Sequence, residues 1–387
     1  MTMDKPTLKP VGKCYSAGPC QKHPGWSLEE LKGGLFGRSH RSDVAKKRLL
    51  QVIEESRELL GIPADYHIGI TPGSDTGAFE MAMWSLVGAK PLVVLAWDVF
   101  GKDWVHDAQS HMQLKDLDCR LGEVGHLPDL ANIDPDHDVI FTWNGSSSGI
   151  VMDRHDWISS QRTGLTFCDA TSAAFAMDLP WDKLDVTTYS WQKCLGSEAG
   201  HGMIVLSPRA MERLKTYIPP WPMPKLFRLA DHGKVREAVF IGETINTPSM
   251  MCVEDVLSVF KWVRSIGGLG ALVARSQRNL DVLKTWIASR GHWVRFTAEV
   301  ESQRSCTSMC IKFCAPEVTA LSRADQWVFA SGLAELLDVE DVAYDIRGHI
   351  LDEPNIRIWG GPTVESSDID KLLPWIEWAY GQVLNNK

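Results

Sequence analysis

The sequence has no apolar run of the ~18 residues that a bilayer span requires, and no short apolar segment near its start that would serve as a secretion signal. It has no basic excess either. Its 40 Lys and Arg against 49 Asp and Glu give a formal charge of −9, whereas a general nucleic-acid binder needs a basic face. The 12 histidines and nine cysteines show no zinc-like spacing. Cys306, Cys310 and Cys314 come nearest, but on a strand they would share one face and lie too far apart to hold one ion. An odd number of scattered cysteines is a poor disulfide framework and fits reduced thiols in a cytoplasmic protein. Gly267-Gly268-Leu269-Gly270 lacks the preceding strand that a dinucleotide fingerprint requires. What is present is an ordinary globular composition, 44 % hydrophobic and 23 % charged, over 387 residues, enough for two domains. The negative balance still permits an anionic ligand, because a few convergent cations can dominate a cleft.

The clearest chemistry lies in residues 164–193. An apolar run, Leu165-Thr166-Phe167-Cys168, stops on Asp169, and 24 residues later comes Lys193, preceded by Trp191 and Gln192. An acid at the end of a buried strand and a lysine that can be desolvated are what pyridoxal phosphate requires: the amine bonds the cofactor aldehyde, and the carboxylate keeps the ring nitrogen protonated. Short apolar strands alternate with helices over residues 67–207, which predicts an α/β sheet of mostly parallel strands with ligand loops at their carboxyl ends. A strand over residues 67–70 runs into Thr71-Pro72-Gly73-Ser74-Asp75-Thr76-Gly77 and then a helix over residues 78–87. Such a loop offers backbone N–H groups and a positive helix end to an anion. Strands are also expected over residues 91–97, 138–142 and 201–206, and a helix over residues 43–60. After two long helices, strands over residues 294–296, 308–313 and 356–359 and helices over residues 324–336 and 369–384 form a smaller α+β lobe. The expected organisation is an arm over residues 1–15, a large domain over 16–265 and a small domain over 266–387. Arg357, between Ile356 and Ile358 on a short strand, points away from both and toward a cleft. Gly37-Arg38-Ser39-His40-Arg41-Ser42 supplies the planar forks that phosphate recognition prefers.

Cys168-Asp169-Ala170-Thr171-Ser172, Ser190-Trp191-Gln192-Lys193 and Gly200-His201-Gly202 resemble the cofactor core of fold-type I pyridoxal phosphate enzymes. With Ser39-His40-Arg41 and Asn246-Thr247-Pro248, they resemble the phosphoserine aminotransferases in particular, over residues 16–359. That resemblance implies transfer of the glutamate amino group to 3-phosphohydroxypyruvate, giving phosphoserine and 2-oxoglutarate, in a cytoplasmic homodimer with shared active sites. It assigns Lys193 and Asp169 to catalysis. Ser74, Asp75, Thr76, Ser146 and Gln192 go to the cofactor, with Phe100 or Trp104 as its aromatic plate. Asn246 and Thr247 would reach the cofactor phosphate of a neighbouring subunit. His40 and Arg41 would hold the substrate phosphate, Arg357 its carboxylate, and His349, with Arg347, would be a secondary substrate contact. Many members of the family carry an arginine in the loop corresponding to residues 71–77, and this chain has none. The departure points to a variant subgroup of the family or a different phosphate partner; it also gives ground to the rival reading, an alanine–glyoxylate or serine–pyruvate type aminotransferase that needs no substrate-phosphate site, against which His40 and Arg41 count.

Overall fold

Strands Leu92–Ala96, Asp138–Thr142 and Val186–Ser190 are buried along their whole length, as expected of parallel strands covered on both faces. They belong to a seven-stranded sheet in the computed structural model of the protein, which describes residues 4–385. Across the sheet the order is His67–Pro72, His201–Leu206, Val186–Ser190, Thr166–Asp169, Asp138–Thr142, Leu92–Ala96 and Leu117–Leu121. Six strands point the same way. His201–Leu206 runs against its two neighbours and sits between them, inside the sheet. The edge strand Leu117–Leu121 was not anticipated. It is only partly covered and carries Asp118 and Arg120 among its apolar residues, so it lacks the continuous apolar run of its neighbours.

This topology brings many loops to one rim. The carboxyl ends Pro72, Ala96, Thr142, Asp169 and Ser190 lie on the same edge, with Thr142 paired to Asp169 and Asp169 to Thr188. The reversed strand contributes its first residue there, His201 opposite Pro72. Helix Ser74–Leu86 starts directly after the first strand, earlier than expected from the sequence. Gly73, at φ 84°, and Ser74, at φ 54°, turn the chain in two left-handed steps, so Ser74, Asp75 and Thr76 open the helix instead of extending a loop.

A second, antiparallel sheet joins Val294–Phe296, Ser308–Phe313 and Ile356–Trp359, with helices Leu269–Ala288, Arg323–Val339 and Ser366–Asn385. Several of the chain's tryptophans hold this lobe together: Trp359 and Trp375 are fully buried, and Trp293 packs on Phe313 and Tyr380. Among the described residues no single helix is long and apolar enough to cross a membrane.

Candidate active site

A cavity of about 260 Å³ opens at the carboxyl rim of the large sheet. Ser74, Asp75, Thr76, Phe100, Trp104, Ser146, Asp169, Gln192 and Lys193 all line it. Sequence-distant residues therefore converge because the parallel strands end together.

Lys193 follows strand Val186–Ser190 in a tight turn, closed by Gly196 N–H donating to the Lys193 carbonyl at 2.9 Å. A segment from the start of the chain is pinned against it, with Cys20 N–H donating to the Gln192 carbonyl at 2.8 Å. The Lys193 amine donates to the Ala17 carbonyl. Burial, reinforced by the positive charge of Arg357, lowers its pKa and makes the neutral amine accessible, although Cys20 and Asp169 oppose this. Gly18, at φ +144°, leaves no room for a side chain: an added Cβ would lie 2.8 Å from both Cε and Nζ of Lys193. We expect Gly18→Ala to displace the lysine and lower kcat by about 10²-fold, since ångström-scale misplacement of a reacting group costs that much. Steady-state kinetics beside a thermal melt will separate this from general unfolding.

Asp169 ends its strand at the cavity floor. Its Oδ1 accepts from Thr171 N–H at 3.0 Å, and its Oδ2 accepts from Trp104 Nε1 at 3.3 Å. Trp104 is thus a buried donor to the carboxylate, packed on Phe79. Phe100 presents its ring to the cavity, 5.7 Å from the Lys193 amine, and its placement suits the aromatic plate. Both residues belong to helix Val99–His106, which Asp98 caps by accepting from Gly101 N–H at 2.8 Å.

Asp98 also lines the cavity and is fully buried, and that burial pushes its carboxyl up to about 7. A raised carboxylate pKa contributes stability that is complete below the unfolded value and lost as pH rises through the folded one. We therefore expect wild type to lose stability relative to Asp98→Asn between about pH 4 and about pH 7 and to hold level above that, by a few kcal/mol in all, because one pKa unit is worth about 1.4 kcal/mol. Denaturant melts of the two proteins across that range check it. A gap that stays constant with pH would refute it.

Ser146 donates to Ser172 Oγ at 2.7 Å, and Asn144 Nδ2 donates to Ser172 Oγ at 2.8 Å and to Thr307 Oγ1 at 3.1 Å. Asn144, Thr142, Thr171 and Ser190 also line the cavity, although none had been singled out from the sequence. Each sits within a few residues of a strand's carboxyl end, which is the signal that would have found them. Arg357 extends from its strand opposite to the buried Ile356 and Ile358; it does not itself line the cavity but abuts it, Nη1 donating to the carbonyl of the lining residue Ser146 at 3.0 Å. Its Nε is buried without a partner.

The structure does not bring every expected residue to this cavity. His40 is partly buried and Arg41 exposed on the loop before helix Asp43–Leu60, and neither lines the cavity. Asn246 and Thr247 are exposed and also lie off it. His349 accepts from Leu351 N–H at 3.4 Å through Nδ1, and Arg347 is exposed; both are absent from the lining.

The cavity fits pyridoxal phosphate on its own geometry. No side chain caps helix Ser74–Leu86, so its first-turn amides face an anion site unoccupied by the chain itself. Asp75 Oδ1, Thr142 Oγ1 and Gln192 Oε1 are buried polar atoms without protein partners on the lining. The amine, the carboxylate and the phenyl ring supply the bond, the counter-charge and the plate.

No protein-family profile matches the chain. Over 380 residues it is 48 % identical to a phosphoserine aminotransferase of Methanosarcina mazei and 49 % identical to that of Methanosarcina barkeri, covering 98 % of this chain and 100 % of each relative. Among solved structures it is similar to a phosphoserine aminotransferase of Cytophaga hutchinsonii, with TM-score 0.75, 21 % identity and coverage of 97 % of this chain and 98 % of that one. A pyridoxamine–pyruvate aminotransferase of Mesorhizobium loti matches with TM-score 0.75 at 19 % identity, over 98 % of this chain and 93 % of that one. The equal scores of two different activities show a common fold and leave the substrate to the sequence relatives.

Proposed function

The chain belongs to the phosphoserine aminotransferase family, and on that premise we propose that Lys193, Asp169, Arg357 and the helix turn at Ser74 form one part of its catalytic centre, completed by a second copy of the chain. The reaction is transfer of the glutamate amino group to 3-phosphohydroxypyruvate, giving O-phosphoserine and 2-oxoglutarate in serine biosynthesis. The observation that carries it is identity of 48–49 % to phosphoserine aminotransferases along 98 % of the chain.

Bound pyridoxal phosphate supplies an aldehyde to carry the amino group and a ring to take up the electrons of the broken Cα–H bond. The first turn, Ser74, Asp75 and Thr76, holds the cofactor phosphate through its backbone N–H groups. Asp169 would supply the counter-charge to the ring nitrogen, and Phe100 would cover one face of the ring. Ser146 and Gln192 close the cofactor's edge. Lys193 Nζ would bond the cofactor and serve as the acid and base for the proton at the substrate Cα. Arg357, with one Nη on the Ser146 carbonyl and Nε free, clamps the substrate carboxylate.

The substrate phosphate needs cations that this lining does not supply, Lys193 being the one Lys or Arg on it. Arg41, exposed, and His40, partly buried, both lie away from the chain's own cavity and are suited to reach into a partner's. Asn246 and Thr247 are exposed in the same sense and would meet the partner's cofactor phosphate. These placements support a homodimer with shared sites. Nine free thiols suit a cytoplasmic location. The division into residues 16–265 and 266–387 is part of the same reading, supported by helix Met250–Ser265 ending between the two sheets in the chain order.

Turnover tests it: with 2-oxoglutarate as acceptor, kcat/KM for L-phosphoserine should exceed those for L-serine and L-alanine by at least about 10³-fold, the worth of a desolvated phosphate–arginine pair. Equal values would move the chain to the alanine–glyoxylate or serine–pyruvate type.

A further inference from the structure

Asp75 occupies an unexpected place for a carboxylate. It stands in the first turn of the helix that takes the cofactor phosphate, it is 6 % exposed, and it lies against Asp169 and Thr188. The charged or titratable groups facing this pair are Lys193 and Cys168, with Asp98 near Asp169. Two adjoining buried carboxylates cannot both ionise at neutral pH. The donors decide between them. Asp169 accepts from Thr171 N–H and Trp104 Nε1, whereas Asp75 Oδ1 is buried with no partner. An ionised Asp75 would leave that acceptor unpaired and would set a second anion beside the bound phosphate.

We propose that the Asp75 side chain is a positioning residue: a neutral carboxylic acid that donates a hydrogen bond to Asp169 and leaves Asp169 as the one anion of the pair beside the ring nitrogen. The proton stays on Asp75 throughout, so no co-reactant is required. Burial and the Asp169 charge push the Asp75 carboxyl well up; burial also raises Asp169, but there the Asp75 donor and the Thr171 and Trp104 N–H groups oppose it, so the proton favours Asp75. The role differs from that of the Asp75 backbone at the phosphate. It rests on Asp169 facing the cofactor ring, as in the function proposed above.

Infrared difference spectra of the holoenzyme read the proton directly. At neutral pH wild type should show the C=O stretch of a buried protonated carboxylic acid, shifted in D2O and lost in Asp75→Asn. Because the amide keeps a donor, Asp75→Asn should hold pyridoxal phosphate within about threefold of wild type, while Asp75→Ala should hold it about tenfold more weakly, the loss of one good hydrogen bond. If these variants fail to fold, Asp169→Asn serves instead: without the neighbouring charge, the acid band of Asp75 should fade at a lower pH than in wild type. Absence of the band in wild type, its survival in Asp75→Asn, or cofactor binding tightened about tenfold in Asp75→Asn would overturn the proposal. Failure of the cofactor reading itself looks different, as wild type that binds no pyridoxal phosphate.

Discussion

Lys193→Ala is expected to cut turnover by at least about 10⁴-fold, because one side chain acts as nucleophile toward the cofactor and as the acid and base at the substrate Cα. The fold should survive. The lysine lies in a loop at the rim of the sheet, and the turn around it is held by backbone bonds, from Gly196 N–H to the Lys193 carbonyl and from Cys20 N–H to the Gln192 carbonyl. Substitution leaves the Ala17 carbonyl without its donor, a cost of about 1–3 kcal/mol, but it also relieves the burial of an amine. These oppose each other, so the melting temperature should move by only a few degrees. Circular dichroism melts beside a turnover assay check both halves. Normal turnover by the variant would remove the basis of the active-site assignment.

The second large effect concerns Arg41. If the partner subunit's Arg41 binds the substrate phosphate, Arg41→Ala should lower kcat/KM for phosphoserine by about 10²- to 10³-fold, as loss of one partner of a desolvated charge pair does. Activity toward donors without a phosphate should change little. Sharing of the site adds a sharper expectation. Lys193→Ala and Arg41→Ala subunits, each inactive on phosphoserine alone, should regain activity when refolded together, because a mixed dimer contains one site with both native residues. Mixtures that stay inactive would place Arg41 outside the partner's site.

Much of the site was readable in the sequence because its chemistry is tied to strand ends. Asp169 stood out as an acid at the end of an apolar run and Lys193 as an amine 24 residues on, and seven of the residues expected around them line the same cavity. Arg357 was readable for a different reason, since strand alternation alone puts it opposite Ile356 and Ile358. What was not readable depends on long-range packing. Strand Leu117–Leu121 carries charges because it lies at an edge, and His201–Leu206 enters the sheet between strands that precede it in the chain. Phe100 and Trp104 sit one helical turn apart, so both face the same side. Only the contact from Trp104 Nε1 to Asp169 Oδ2 separates the donor from the plate. The close approach of Gly18 to Lys193 joins residues 175 positions apart, which no local pattern reports. The helix start at Ser74 was misjudged because Gly73 and Ser74, both in the left-handed conformation, end a loop in two residues.

The substrate is the claim on which the account turns, and a single half-reaction tests it most directly. Purified holoenzyme is mixed with L-phosphoserine, and in parallel with L-serine or L-alanine, while the absorbance of the bound cofactor is followed. The account predicts rapid conversion from the pyridoxal to the pyridoxamine form with phosphoserine and little change with the other two. Conversion by alanine or serine, with phosphoserine inert, would contradict it.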